Sequence, residues 1–375
     1  MKKQYISGTW KQQDNYKSFL PTYINQEFDW EDKKINTLLE KANLELGKLE
    51  SFSNFIPDID FFISMHIGKE AIQSSKIEGT KTELDDLFVE KNDKTFEEKN
   101  DIQEVKNYIQ ALKFGIQLLD ELPLSFRLFS QIHKILLQSV RGEHKGPGEI
   151  RTSQNWIGGT NISNAFFIPP HKNDLSDCIT DLEKFLHNNT LEIPELIKIA
   201  LIHYQFETIH PYLDGNGRIG RLIIILYLIE KKILSRPVLY ISDFFERNKG
   251  EYYNALTLVR NTNDIEYFIK FFLTGVIETC KSSLYTFEEI LRIKEVFSEK
   301  ILLFGHKAEK ASKLLHFLFS KPIVNSKDVQ NLLKVTPTTA NTLLHEFVEC
   351  EILIENTQLK RYKIYTFESY LRLFR

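Results

Sequence analysis

The stretch His210-Pro211-Tyr212-Leu213-Asp214-Gly215-Asn216-Gly217-Arg218-Ile219-Gly220-Arg221 places one titratable base, one carboxylate, three glycines, an amide and two arginines within twelve residues. An apolar run from Leu222 to Ile229 follows at once. Gly215, Asn216 and Gly217 tolerate backbone angles that other residues resist, so successive N–H groups can face one concavity. If the run after Gly220 is a helix, that concavity lies at its N-terminus, where unpaired N–H groups and the dipole favour an anion. Arg218 and Arg221 stand three apart, so a helical turn sets both guanidinium forks on one side, suited to phosphate oxygens. Asp214 is a single carboxylate beside that nest, the usual way Mg²⁺ is held on phosphates. His210 titrates near neutrality and can take a proton from an attacking hydroxyl. Taken singly, each residue also fits a plain turn at a helix start. Taken together they imply a polyphosphate site, because a turn needs neither base nor carboxylate. The stretch does not end in Gly-Lys-Ser/Thr, so it is not a Walker A loop, and no strand precedes it as a dinucleotide fingerprint requires.

Working outward, the chain has 375 residues, 42% hydrophobic and 26% charged, with a net charge of −3. That is room for two or three domains with a sizeable core, and it supplies no basic field toward nucleic acid or an anionic membrane. Cys178, Cys280 and Cys350 are odd in number and far apart, which fits reduced thiols better than a disulfide frame or a zinc site. Met1-Lys2-Lys3 looks like a signal n-region, but Gln4 to Thr9 adds no apolar core, and the run Leu222–Ile229 is too short to span a bilayer. The expectation is a cytoplasmic enzyme with no membrane partner.

Upstream, a polar arm precedes a helical pattern over Trp30–Leu49, with Ile35, Leu38, Leu39, Ala42, Leu46 and Leu49 at three-to-four spacing. Ile56-Pro57-Asp58 marks a second helix start, with Asp58 or Asp60 near its N-terminus. That helix runs through Phe61, Phe62, Met65, Ala71 and Ile72 to Glu78 and stops at Gly79. A carboxylate at that end opposes the dipole unless a cation faces it. Phe96–Leu119 and Ser125–Leu137 read as amphipathic helices. Two apolar stretches around a Gly/Asn/Ser-rich turn, Ile150–Gly159 and Phe166–Pro170, read as a hairpin, on the residues alone an ordinary edge hairpin. Leu175–Leu186 and Pro194–Ile209 are helices, the second with Ile197, Ala200, Leu201, Tyr204 and Ile209 inward. The helix Gly220–Leu234 is apolar nearly all round and should be the buried centre of a bundle. Asp243–Leu258 is a turn and a helix, and Ile265–Ile301 forms one or two long helices.

The twelve residues resemble the signature of Fic-domain proteins, His-Pro-Phe-x-Asp/Glu-Gly-Asn-Gly-Arg-x-x-Arg, with Tyr212 where Phe is usual. Ser74, Glu78 and Gly79 resemble that family's inhibitory motif, Ser/Thr-x-x-x-Glu-Gly/Asn, whose glutamate pairs with the second signature arginine, here Arg221. The resemblance covers nearly the whole chain. It implies a mainly α fold: a Fic helical bundle over 96–300 with a small β-hairpin flap, an N-terminal arm and helical region over 1–95, and a winged-helix domain over 305–375. The last rests on the order Ala308–Phe319, Asn325–Leu333 and Thr336–Glu349 as helices, then strands Ile352–Ile354 and Tyr362–Tyr365.

The activity implied is transfer of AMP from ATP to a Ser, Thr or Tyr hydroxyl of a target protein, self-modification included. By this resemblance His210 is the base and Asp214 the Mg²⁺ ligand. Gly215, Asn216, Gly217, Arg218, Ile219, Gly220 and Arg221 line the ATP site, which Glu78 shares, and Tyr253, chosen over Tyr252, lies against the adenine. Phe166, Phe167 and Ile168 belong to the flap that docks an extended target strand. Removal of AMP by the same site, or a nucleotide-sensing DNA-binding regulator, are the rival readings. Thr338, Thr339, Asn341, Thr342 and His345 of the would-be recognition helix come with Glu346 and Glu349 and no Lys or Arg, and the wing adds only Lys360, Arg361 and Lys363. Phosphate contacts need cations, so protein contact or a homodimer is favoured over DNA.

Overall fold

The computed structural model describes residues 5–55, 59–88, 94–356 and 363–375. It opens with a hairpin, β1 (Gly8–Gln12) and β2 (Lys17–Pro21), paired antiparallel from Gly8↔Pro21 to Gln12↔Lys17. This corrects the expectation of a polar arm. Gln13 N donates to Tyr16 O at 2.8 Å across the Asp14-Asn15 turn, residues that close turns readily. Ser18, Phe19 and Pro21 are buried, so the polar composition conceals one apolar face.

Ten helices follow among the described residues: α1 (Lys34–Phe55), α2 (Ile59–Ile77), α3 (Phe96–Leu118), α4 (Phe126–Leu136), α5 (Leu175–His187), α6 (Glu195–Ile209), α7 (Asn216–Glu230), α8 (Ser242–Arg247), α9 (Lys249–Thr262) and α10 (Ile265–Leu302). Of the expected inner positions of α1, Ile35, Ala42, Leu46 and Leu49 are buried, while Leu38 and Leu39 are half-buried. Asp58 lies outside the described residues, and Asp60 falls in the first turn of α2. Local caps set several starts. Thr95 accepts from Glu98 N while Glu98 reaches back to Thr95 N at 2.7 Å, a reciprocal cap on α3. Asp264 accepts from Tyr267 N at 2.9 Å and starts α10, each such cap contributing about 1 kcal/mol.

α7 is the hub. Leu222 through Leu228 are wholly buried, and α2, α3, α4 and α6 pack round it. It begins four residues earlier than its apolar run predicts, and it ends earlier too. Lys232 takes a left-handed φ of +55°, and Ile233 N and Leu234 N both turn back to Leu228 O. α10 is one unbroken helix packed along α1, α6 and α9.

Beyond it come α11 (Ala308–Leu318), β3 (Ile323–Asn325), α12 (Ser326–Leu333), α13 (Pro337–Glu349), β4 (Ile354–Glu355), β5 (Ile364–Thr366) and α14 (Glu368–Leu371). The three strands pair antiparallel in the order β3-β5-β4. β3 and α14 were not anticipated, because elements of three and four residues carry no periodicity. Tyr362, Lys360 and Arg361 lie outside the described residues. The C-terminal segment returns to the bundle: Phe374 packs edge-on against His66 of α2, and Arg375 pairs with Asp85 at 2.7 Å. Among the described residues no helix is long and apolar enough to cross a membrane, and all three cysteines are free thiols.

Candidate active site

α6 ends on His210, a non-glycine residue held at φ +52°, a conformation that needs support from its surroundings. Arg151 supplies much of it. Its main-chain N donates to Pro211 O at 2.9 Å, while its guanidinium donates to His210 O, Ser153 O, Pro170 O and Ile209 O. Asn155 adds Nδ2 to Tyr212 O at 2.8 Å. Neither residue stood out in the sequence, where both sit inside the run read as a hairpin. Replacing Arg151 by Ala is expected to lower unfolding stability by about 3 kcal/mol, because Pro170 O and Ile209 O are left buried without this donor and a buried fork is lost. Arg151→Lys should recover little of this, since an ammonium lacks the planar fork. Urea unfolding of the three proteins checks both.

Asn216 Oδ1 accepts from Tyr212 N and Asn216 Nδ2 donates to Tyr212 O, each at 2.8 Å. The amide side chain expected to serve a ligand is therefore spent on the loop, and its backbone N–H remains. Tyr212, the departure from the usual Phe, is buried and meets Ser130 Oγ through its hydroxyl at 3.2 Å. Its ring stacks on His133 at 4.0 Å. Gly148 N donates to His133 Nδ1, so Nε2 carries the hydrogen and donates to Asp214 O at 2.9 Å. Burial pushes the His133 pKa down to about 4, which agrees with this neutral form. The Asp214 side chain stays 42% exposed, with Oδ1 accepting from Gly215 N at 2.6 Å.

Gly215 alone of the signature glycines takes a positive φ, +74°, at the N-cap of α7. Gly217 is needed for room instead: a Cβ there would lie 2.2 Å from Glu78 Oε1. At Gly220 a Cβ would lie 2.3 Å from Glu207 Oε1. So the expected nest is the first turn of the helix itself, with the N–H groups of Asn216, Gly217 and Arg218 lacking helical partners. Ile219 is fully buried and its N–H is taken by Gly215 O, and Gly220 O meets His203 Nδ1 at 3.0 Å. Ile219 and Gly220 thus lie within the helix, behind the unpaired amides of its first turn.

The two arginines part company. Arg221, 1% exposed, donates from Nε to Ser74 Oγ at 2.8 Å, and from Nη2 to Ser74 O at 2.8 Å and Glu78 Oε1 at 2.6 Å. Glu78 and Gly79 (φ +104°) form the turn that ends α2, and Lys249 Nζ caps Ile77 O at 2.6 Å. The cations that a carboxylate at this helix end calls for are thus both present. Burial pushes the Glu78 pKa up, but Arg221, Arg218 and His210 outweigh it and hold it below the ordinary value. Arg218 turns the other way, to Glu104 Oε2 on α3 at 3.0 Å. Glu104 also holds Arg141 at 2.9 Å, a link that sequence spacing cannot reveal.

His210 Nδ1 lies 3.3 Å from Glu207 O. A carbonyl only accepts, so Nδ1 carries the hydrogen and Nε2 keeps its lone pair. Burial lowers the His210 pKa to about 4, with Arg151 and Arg260 adding to the fall. The group is a neutral base at neutral pH. Glu207, three residues earlier, is buried with one carboxyl oxygen unpartnered, and burial raises its pKa to about 7.

Of the tyrosine pair, Tyr252 is buried with its hydroxyl on His203 Nε2, and Tyr253 is 42% exposed. The hairpin over Ile150–Pro170 reduces to one antiparallel bridge, Ile157↔Phe167, because Gly158 and Gly159 both turn left-handed. Of the three flap residues only Phe166 is exposed, at 88%. Phe167 and Ile168 are buried, and Phe19 N of β2 already donates to Ile168 O at 2.9 Å. The N-terminal hairpin, which the sequence does not announce, thus meets the flap at Ile168 and leaves Phe166 as the exposed one of the three. Among the described residues no cluster of three or more His, Cys, Asp or Glu is arranged for a metal. Asp214, a single half-exposed carboxylate next to the start of α7, has the chemistry to ligate an ion carried on phosphates.

The chain is similar to known proteins in sequence and in fold. Residues 36–117 match the family described as Fic/DOC family N-terminal, and residues 123–228 match the Fic/DOC family. Protein adenylyltransferase Fic of Drosophila melanogaster is 29% identical over 157 residues, 41% of this chain and 28% of that protein. The Aedes aegypti protein of the same name is 32% identical over 125 residues, 33% of this chain and 22% of its own. The matches thus span under a third of these relatives. A Fic family protein from Desulfovibrio desulfuricans shares the fold over 91% of this chain and 98% of its own, with a TM-score of 0.55 at 19% identity. For Fic-1 of C. elegans the values are 68%, 74%, 0.51 and 18%. With both matches in sequence order across a helical fold of this kind, the chain carries a Fic/DOC-family domain preceded by that family's N-terminal region.

Proposed function

We propose that the chain transfers AMP from ATP to a Ser, Thr or Tyr hydroxyl of a protein and that Glu78 restrains it. The observation that carries this reading is His210, with Nδ1–H held by Glu207 O and Nε2 left basic. It stands six residues before a helix N-terminus whose amides are unpaired. In the reaction His210 Nε2 takes the hydroxyl proton as the oxygen bonds to the α-phosphorus. The bond from that phosphorus to the bridging oxygen breaks, and pyrophosphate leaves. The first-turn N–H groups of α7 face the developing charge. Asp214 would hold Mg²⁺ on the phosphates, and the ion would neutralise their charge. Arg218 serves the β-phosphate side and Arg221 the γ-phosphate once Glu78 withdraws. Tyr253 offers its exposed face to adenine. Incubating the Glu78→Gly variant with α-labelled ATP and cell extract tests the reading: label on protein, the enzyme itself included, supports it, and none overturns it.

The base should also declare itself in a pH profile. Burial disfavours the imidazolium, so kcat/KM should stay level through neutrality and fall only as pH drops toward about 4. A limb near the ordinary histidine value that persists in a Glu207→Gln variant would contradict this.

A reverse reaction has one observation in its favour: the Glu78 carboxylate is 35% exposed and could orient a water for removal of AMP. Release of free AMP from a modified protein measures it. We assign the segment from α11 to α14 as a winged helix used for protein contact or dimerisation. Thr338, Thr339, Asn341, Thr342 and His345 are exposed on α13, a helix with no Lys or Arg of its own.

A further inference from the structure

Arg260 of α9 is only 8% exposed, and its guanidinium lies over the Phe167 ring, 3.7 Å from the centroid. Nε and Nη2 reach Thr208 Oγ1 at 3.3 Å, and Nη2 reaches Glu207 O at 3.5 Å. That carbonyl is the one that fixes His210 Nδ1. The hydrogen bonds go to a hydroxyl and a carbonyl, so no carboxylate bonds the buried cation directly, and Tyr204, Glu207 and Tyr252 act on it electrostatically. Such burial is costly, and stacking on a ring offsets it only in part. Features of this cost concentrate at sites rather than in packing. On its far side Phe167 is fixed by Trp10 and Phe19 of the N-terminal hairpin, at 6.0 and 5.9 Å. Ser7, just before β1, donates to Asn263 Oδ1 at 2.8 Å at the end of α9. Hairpin, flap, α9 and the end of α6 therefore meet on one guanidinium.

We propose that Arg260 is a positioning residue that couples the seating of the flap on the N-terminal hairpin to the orientation of the base His210. A strand docking beside Phe166 bears on Phe167, the ring bears on the guanidinium, and the guanidinium shares its acceptor with the imidazole. Catalysis is sensitive to small misplacements of the reacting groups, so a target that seats the flap badly would also find a badly aimed base. The coupling rests on the reading of His210 as base and of the flap as dock. The charged groups facing His210 are Arg151 at the start of the flap run, Arg260 on α9 and Glu78 after α2, and the Glu207 carbonyl on α6 adds a dipole. Beyond burial, the arginines favour the neutral imidazole, and the carbonyl and Glu78 oppose them.

The test uses the full chain in a Glu78→Gly background, with Arg260→Gln, Arg260→Lys and Phe167→Leu. Two quantities are read: the His210 titration midpoint by NMR, and kcat and KM for ATP in label transfer. Arg260→Gln should raise the midpoint by about half a unit and lower kcat at least about tenfold, with KM little changed. Arg260→Lys should keep the low midpoint and still lose kcat, since an ammonium keeps the charge without the fork. Phe167→Leu keeps the bulk and should lower kcat roughly fivefold through loss of the ring face. A folded Arg260→Gln protein with both midpoint and kcat unmoved overturns the proposal, as does a fall in melting temperature alone. If the Arg260 variants do not fold, Phe167→Leu decides, and unchanged kcat there overturns it. If the Glu78→Gly parent transfers no label, the functional reading has failed, and the NMR midpoint still judges the coupling.

Discussion

Glu78→Gly is expected to raise AMP transfer by about a hundredfold, a size set by what small misplacement of a phosphate costs in rate. The carboxylate sits where an anion is favoured, on the first turn of α7 with Oε1 2.6 Å from Arg221 Nη2. A Cβ on Gly217 would run into it, so it occupies the space above the helix N-terminus. On the proposed reading a phosphate would not share that space with a like charge, and ATP would bind with its α-phosphate turned from the line of attack. Leaving a buried cation unpaired ordinarily destabilises by about 3–5 kcal/mol, and Arg221 is buried although Glu78 is partly exposed. Here Arg221 keeps two bonds to Ser74, so the loss should be smaller and the guanidinium should stay in place. ATP should then stabilise the variant more than the parent, because its phosphate supplies the missing partner. Label transfer and melting temperature with and without ATP measure the two effects. Unchanged transfer in a folded variant would sink the inhibitory reading.

Loss of the base is the second large effect. In the Glu78→Gly background, removing the His210 imidazole should cut transfer by about a thousandfold, the span that general-base catalysis covers, while ATP still binds. The choice of replacement matters for a structural reason. His210 stands at φ +52°, where alanine is strained and asparagine is not. His210→Asn is therefore the sharper test, since it keeps the loop between α6 and α7 and removes only the base. His210→Ala should show the same loss of transfer together with a lower melting temperature. Transfer surviving in the asparagine variant would mean that the proton leaves by another route.

Much of the bundle was legible because periodicity reports burial. The inner positions of α1, the all-round apolar run of α7 and the Thr336-Pro337 start of α13 are local signals, and each acts within a few residues. The N-terminal hairpin was missed because its apolar side is only a few residues deep and is completed by Phe167 and Ile168, far along the chain. The start of α7 was misplaced for a related reason. Gly217 reads as part of a loop nest and Gly220 as the first residue of the helix, but both lie inside it, and their missing side chains make room for Glu78 and Glu207. A glycine kept for space and one kept for its backbone angle read alike in a sequence.

The sequence by itself determined which groups stand together: an imidazole, a carboxylate, a helix start and two arginines lie within twelve residues, close enough that local geometry gathers them. It also raised Glu78 as the partner of Arg221, through a resemblance rather than through any local rule. Only the tertiary structure decided which contacts those groups keep. Arg218 turns to Glu104, Asn216 closes its own loop, His133 pins Asp214 O, and Arg151 and Arg260 converge on the end of α6 from distant segments. Burial decides the rest, since the neutral state of His210 follows from the low-dielectric surroundings that packing creates and no run of residues carries.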